Sequence, residues 1–334
     1  MTESILRTEI YEQPAALRRL LAQRGEVQRI AQHLRRRDYR FVMIAARGTS
    51  DNAARYGQYL FGVLNRLPVA LAAPSLFSLY QSPPKLEDAL VIGISQSGQS
   101  PDIVGVLEEA RSQGAATVAI TNEDLSPLAK AAEYCIPICA GPERSVAATK
   151  TYTTQLAALA LLATGLAGEI GCLDSVPESM EQVLGTETLV RSAAQAWAEV
   201  NSCAVIGRGF NFCTAYEIAL KTKELACLEA EPYFKHGPIA LAVADFPVLC
   251  LAVGERVRGE LQELAQQLRQ RGARLVVISD NPANGDIPLP QSSPEWISPL
   301  TAVLPGQLFA YYLALARGLN PDEPHLLRKV TLTR

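Results

Sequence analysis

Ala89-Leu-Val-Ile-Gly-Ile-Ser95-Gln-Ser-Gly-Gln-Ser100-Pro101 passes from a continuous apolar run into a serine-rich loop that stops at a proline. An unbroken run rich in Val and Ile, bounded by turn residues, reads as a strand buried on both faces, the condition of a parallel sheet. Ser100 is a natural N-cap and Pro101 fits the first helical position, so the loop opens a helix. That helix ends at Arg111-Ser-Gln-Gly114, and a second apolar run, Ala116-Thr-Val-Ala-Ile-Thr-Asn122, follows.

The pattern recurs further along the chain. Phe246-Pro-Val-Leu-Cys-Leu-Ala252, a helix ending Arg269-Gln-Arg-Gly272, and Arg274-Leu-Val-Val-Ile-Ser-Asp280 repeat it, with Gly114 and Gly272 separated by 158 positions. Upstream, Phe41-Val-Met-Ile-Ala-Ala-Arg-Gly48 and Cys203-Ala-Val-Ile-Gly-Arg-Gly209 each run from an apolar strand into a glycine turn, 161 positions apart. A repeat of this kind decides the architecture before any local reading. The expected class is α/β: two tandem doubly wound domains with parallel sheets in α/β/α layers. The expected division is a helical lead over 1–34, a first domain over 35–195 and a second over 196–334.

Composition narrows the function classes. A chain of 334 residues with 48% hydrophobic and 19% charged residues is globular and long enough for two cores. A net charge of -3 gives no broad attraction to nucleic acid or anionic membrane. Arg35-Arg36-Arg37, with Arg18-Arg19 upstream, is the densest basic patch; without interleaved aromatics it reads as a solvated helix face. Seven cysteines without a Cys-x-x-Cys pair read as reduced, buried thiols of a cytoplasmic protein. Met1 to Pro14 lacks the apolar core of a signal peptide. Leu156 to Ala167, the most lipid-like stretch, is too short to span a bilayer. His33, His236 and His325 lack ligand spacing, so no metal site is expected.

In a parallel α/β sheet, ligands bind beyond the carboxyl ends of the strands. The loop Ser95 to Ser100 therefore offers backbone N–H groups and three serine hydroxyls backed by a helix dipole, an anion cradle suited to a phosphate monoester. The equivalent place in the second half, Val253-Gly254-Glu255-Arg256, has no serine, so the fold does not require these hydroxyls. Arg47-Gly48-Thr49-Ser50-Asp51 adds donors at the same edge. Neither loop fits a nucleotide fingerprint, which favours a small sugar phosphate. Glu217, Lys221 and Glu224 share one helix face, a spacing that without further context reads first as a surface salt-bridge ladder. Lys235-His236-Gly237-Pro238 and Leu327-Arg328-Lys329-Val330-Thr331 carry no function on their own.

Taken in order, Glu9-Ile-Tyr-Glu-Gln-Pro14, Arg47-Gly-Thr-Ser50, Ser95-Gln-Ser-Gly98, Val146-Ala-Ala-Thr-Lys150, Gly207-Arg-Gly209, Ala219-Leu-Lys-Thr-Lys-Glu224, Lys235-His-Gly-Pro238 and Lys329-Val-Thr331 resemble the sugar-isomerase (SIS) family. The likeness is to the isomerase half of glutamine-dependent glucosamine-6-phosphate synthase and to SIS-type glucosamine-6-phosphate deaminases. It implies two flavodoxin-like SIS domains. It implies that Thr49, Ser50, Ser95, Gln96, Ser97 and Ser100 hold a substrate phosphate, and that Arg47, Gly48, Val146, Ala147 and Lys221 lie along the sugar. Glu224 is implied as the base that moves a proton between C1 and C2, His236 from a partner subunit as the ring-opening group, and Lys329 as the group near the carbonyl carbon. A homodimer with shared sites is therefore expected, with no metal or organic cofactor. The chain departs from the synthase at Arg47, where the synthase has cysteine, at Ala148, where it has serine, and in a segment before His236 that is about four residues shorter.

The chain begins where the synthase's isomerase half begins, so glutamine-dependent synthesis is not expected. Three readings remain: a deaminase converting glucosamine 6-phosphate to fructose 6-phosphate and ammonia; an aldose-ketose phosphosugar isomerase or a deglycase acting on fructosamine-type 6-phosphates; and a non-catalytic sugar-phosphate sensor. The joint presence of Glu224, His236 and Lys329 favours an enzyme, and the deaminase is the first expectation.

Overall fold

Within the residues described by the computed structural model (4–169, 172–233, 244–325, 327 and 329), the apolar runs form ten strands in two parallel sheets. The first sheet holds β1 (Phe41–Ala45), β2 (Val69–Leu71), β3 (Ala89–Ser95), β4 (Ala116–Thr121) and β5 (Tyr134–Pro137), in the order β2-β1-β3-β4-β5. The second holds β6 (Ser202–Ile206), β7 (Glu229–Tyr233), β8 (Pro247–Ala252), β9 (Arg274–Ser279) and β10 (Ile287–Pro288), in the order β10-β9-β8-β6-β7. Read from its other edge the second order is the same as the first, the flavodoxin-like 2-1-3-4-5. Each sheet thus has a switch point where the chain reverses direction across the sheet, between β1 and β3 and between β6 and β8.

The chain forms two compact units that interleave in sequence. Of the described residues, one comprises 15–143, 150–169, 172–173 and Lys329, and carries the first sheet; the other comprises 4–14, 144–149, 174–233, 244–325 and Leu327, and carries the second. Three lead helices, α1 (Ile5–Tyr11), α2 (Gln13–Ala22) and α3 (Arg24–Leu34), precede β1. The first sheet is followed through by α4 (Thr49–Asn65), α5 (Ser75–Ser78), α6 (Pro101–Ser112), α7 (Pro127–Ala131) and α8 (Lys150–Ala167). Alternation along β1 explains how that sheet is covered. Met43 and Ala45 pack with Ile103, Val106, Leu107 and Leu128 of α6 and α7. Ile44 points the other way, so close to α4 that a Cβ on Gly57 would lie 2.6 Å from its Cδ1.

The second unit adds α9 (Val176–Leu184), α10 (Glu187–Gln195), α11 (Phe212–Ala226), α12 (Glu255–Gln270) and α13 (Pro299–Ala316). With the turn before it, α13 is long and apolar enough to cross a bilayer, but 83% of the relevant window is buried in the protein, so its apolarity serves the core. It displaces Leu156–Ala167 as the most lipid-like stretch; Pro305, Gly306 and Gln307 interrupt the run to the eye but not in space. Gly306 lets α11 lie against α13, since a Cβ there would sit 2.2 Å from Ile218 Cγ1.

Two expectations change at the surface. Arg35 to Arg37 do not form a helix face: α3 ends at Leu34, and the exposed arginines follow its C-terminus, where positive charge meets the helix dipole, with Arg37 paired to Glu133 at 2.6 Å. Only Cys203, Cys213 and Cys250 are buried; Cys135 and Cys139 are half-buried, and Cys172 and Cys227 are exposed. Burial pushes the Cys203 and Cys250 thiols up to about 12.

Candidate active site

At the first switch point β1 and β3 run side by side with Ala45 opposite Gly93, which brings the loops after both strands to one edge. Gly48 adopts φ +53° and turns the chain into α4, with Thr49 and Ser50 in the first turn. Ser50 is buried, and its Oγ accepts a hydrogen bond from Gln155 Nε2 of α8 at 3.1 Å. An oxygen that already accepts directs its own hydrogen elsewhere, so Gln155 biases Ser50 to donate. The long sequence separation hid this residue, and no local signal marks it.

The β3 loop folds around its serines. Gly98 N–H donates to Ser95 Oγ at 3.1 Å and Gln99 N–H to Ser97 Oγ at 3.3 Å, while the Gln96 carbonyl accepts from Asn122 N–H at 3.1 Å. Gly98 has φ +61°, and a Cβ there would lie 2.1 Å from Ser126 Oγ, so only glycine fits. Pro101 begins α6 as expected. Ser100 occupies the N-cap without closing it by a side-chain hydrogen bond, which leaves its hydroxyl for other use. One residue missed in the sequence is Asp102, in the first turn of α6. Its side chain is 1% exposed and engages Arg47 through Oδ2, whereas Oδ1 is buried with no hydrogen-bond partner among the described residues.

The second switch point is filled differently. Gly254 N–H donates to Asp280 Oδ2 at 3.1 Å, Arg256 N–H to Glu295 Oε2 at 3.4 Å, and Arg258 holds Asp280 at 3.1 Å. The protein's own carboxylates occupy the N-terminus of α12.

On α11 of the same unit, Glu217, Lys221 and Glu224 do share a face, but they form no surface ladder. Lys221 is 1% exposed and Glu217 is fully buried, while Glu224 remains 24% exposed. The Lys221 ammonium lies 3.5 Å from Glu217 Oε1 and hydrogen-bonds Glu224 Oε2. A sealed cation between a sealed and an accessible carboxylate fixes Glu224 in one orientation, the arrangement a base needs. The segment bearing Val146 and Ala147 belongs to this unit too. Glu9, buried, accepts from the amides of Arg144 and Ser145 and from the Ser145 hydroxyl, so the lead helix anchors that loop.

Lys329 lies in the first unit, where its ammonium meets Glu143 Oε2 at 3.1 Å. Glu143 in turn accepts from Thr151 N–H at 3.1 Å and Thr151 Oγ1 at 2.7 Å, at the N-terminus of α8. His236 lies outside the described residues. Among the described residues, no three His, Cys, Asp or Glu side chains are grouped to hold a metal ion.

The model of the SIS domain matches residues 36–165, the segment that contains the first switch point. A candidate phosphosugar isomerase from Silicibacter pomeroyi is 36% identical, with a TM-score of 0.86 over 96% of this chain and 100% of that one. The chain belongs to the SIS family of phosphosugar isomerases. Glutamine-fructose-6-phosphate aminotransferase from Brucella abortus is 33% identical to this SIS protein over 97% of its length, and the chain spans 58% of that relative. The glucosamine-6-phosphate deaminase of Thermotoga maritima, 22% identical with a TM-score of 0.76, shares the fold.

Proposed function

We propose that this SIS protein, a tandem pair of doubly wound domains, is a glucosamine-6-phosphate deaminase. The phosphate is held by Thr49, Ser50, Ser95, Gln96, Ser97 and Ser100, with Val146 and Ala147 along the sugar. His236 of a second copy opens the ring to the C1 aldehyde. Glu224 takes the proton from C2, giving an enol-amine across C1 and C2, and returns it to C1. The resulting C2 ketimine adds water and expels ammonia, leaving fructose 6-phosphate. Lys329 stands near the carbonyl carbon as a cation. The observation that carries this reading is the buried Lys221 that pins the accessible carboxylate of Glu224. A lysine sealed between two glutamates makes little sense in a mere sugar-phosphate sensor.

The test is ammonia release across a panel of amino-sugar 6-phosphates. Glucosamine 6-phosphate should release ammonia stoichiometrically with fructose 6-phosphate. Glu224→Gln, which keeps shape and removes the base, should lower kcat by about 100-fold or more. Mixing it with His236→Asn should restore activity if subunits share sites. Unchanged solvent-deuterium incorporation at C1 in Glu224→Gln would remove Glu224 as the base; interconversion of hexose 6-phosphates bearing a C2 hydroxyl, with no ammonia released from the amino sugars, would favour the aldose-ketose reading.

A further inference from the structure

We propose that Arg47 makes the first switch point selective for a doubly charged phosphate, and that Asp102 is the positioning residue that holds its guanidinium at the mouth. The inference rests on the reading of that switch point as the phosphate site. Every other donor there is neutral: backbone amides, hydroxyls and a glutamine. Two acids lie against them: Asp51 in the first turn of α4, paired with Arg55 at 3.0 Å, and Asp102 in the first turn of α6, with its side chain 1% exposed. A carboxylate sealed in that turn opposes an incoming anion unless it is compensated.

Arg47 supplies the compensation. Its Nε and Nη2 both engage the single oxygen Oδ2 of Asp102, and its side chain stays 47% exposed. Nη1 and the outer N–H of Nη2 have no partner among the described residues. A planar guanidinium can accept a carboxylate on one edge and a phosphate oxygen on another, which lysine's point charge does less well. Removal of Arg47 would therefore cost twice, through the lost donor and through the Asp102 charge left bare.

Binding of inorganic phosphate, measured calorimetrically in chloride buffers of rising ionic strength, tests this on the full chain. Arg47→Ala should weaken phosphate binding about tenfold or more and flatten its salt dependence. Arg47→Lys should retain part of the affinity. Adding Asp102→Asn to Arg47→Ala should recover about threefold or more, because the bare carboxylate is gone. Arg47→Gln is read in the same way if the alanine variant does not fold, and Ser97→Ala serves as the control for the site. Ser97→Ala weakening binding while Arg47→Ala stays within about twofold of wild type overturns the role of Arg47 and leaves the phosphate site standing. Loss of affinity in Arg47→Ala with wild-type salt dependence and no recovery by Asp102→Asn also overturns it, as a structural effect. If neither Arg47→Ala nor Ser97→Ala changes binding, the phosphate-site reading itself fails.

Discussion

Beyond β3, the amides of Gly98 and Gln99 are held by the hydroxyl oxygens of Ser95 and Ser97. Beyond β8, at the corresponding place in a sheet of identical strand order, the amides of Gly254 and Arg256 are held by the carboxylates of Asp280 and Glu295. Both are helix N-termini facing a switch point, and both carry the positive end of a helix dipole. The second answers that dipole with its own acids. The first meets it with neutral oxygens, leaves the Ser100 hydroxyl unspent and neutralises the acid in the first turn of α6, Asp102, with Arg47. Of these two corresponding N-termini, one is closed by the protein and one is suited to an external anion. The fold alone does not choose between them; the side chains do.

The largest effect should follow from closing the cradle that is open. Gly98→Ala forces a side chain into φ +61° and against Ser126, with Oγ at 2.1 Å and Cβ at 2.5 Å. The loop must move, and phosphate affinity should fall by about 100-fold or more, the scale of losing two charge-assisted hydrogen bonds. Calorimetric binding of phosphate measures it. Affinity within about threefold of wild type would show that the loop's shape is not what holds the anion.

The opposite change, at the second switch point, should spare binding and cost stability. Asp280→Ala leaves the Gly254 amide and Arg258 without their acceptor, and Asp280 is buried, so the expected loss is about 1–3 kcal/mol. Thermal or denaturant unfolding should report it while phosphate affinity remains within about twofold. A drop in phosphate affinity matching the loss of stability would break the contrast between the two ends.

Much of this was legible in the sequence because it is local. Parallel strands follow from continuous apolar runs, the N-terminus of α6 from Ser100 and Pro101, and the α11 face from the spacing of Glu217, Lys221 and Glu224. What could not be read there depends on residues brought together across the chain. Asp280 and Glu295 reach Gly254 and Arg256 from 26 and 39 positions away. Lys221 is sealed and no surface partner, on a helix packed so closely against α13 that only a glycine at 306 admits Ile218. The resemblance implies Arg47 along the sugar; its pairing with Asp102 needs the register of β1 against β3. The strand order itself left no trace in the local pattern.

The smallest expected effect sharpens the comparison at a single hydroxyl. Ser50 can serve an anion only if its hydrogen points outward, and Gln155 Nε2, donating to Ser50 Oγ at 3.1 Å, is what takes up the oxygen's lone pair. Gln155 is 1% exposed, and its own Oε1 is buried without a hydrogen-bond partner among the described residues, so the amide is poorly satisfied where it stands. Its retention costs stability that a nonpolar side chain of similar size would recover. Gln155→Leu should therefore melt no lower than wild type, while KM for the sugar phosphate rises about three- to tenfold, roughly the net worth of one hydrogen bond, with kcat unchanged. Gln155→Glu should do more damage, because a carboxylate accepts the Ser50 hydrogen, turns it inward and adds a negative charge behind the cradle. If Gln155→Leu raises Tm and leaves KM untouched, Ser50 orients without help, and the difference between the two switch points rests on the β3 loop and Arg47 alone.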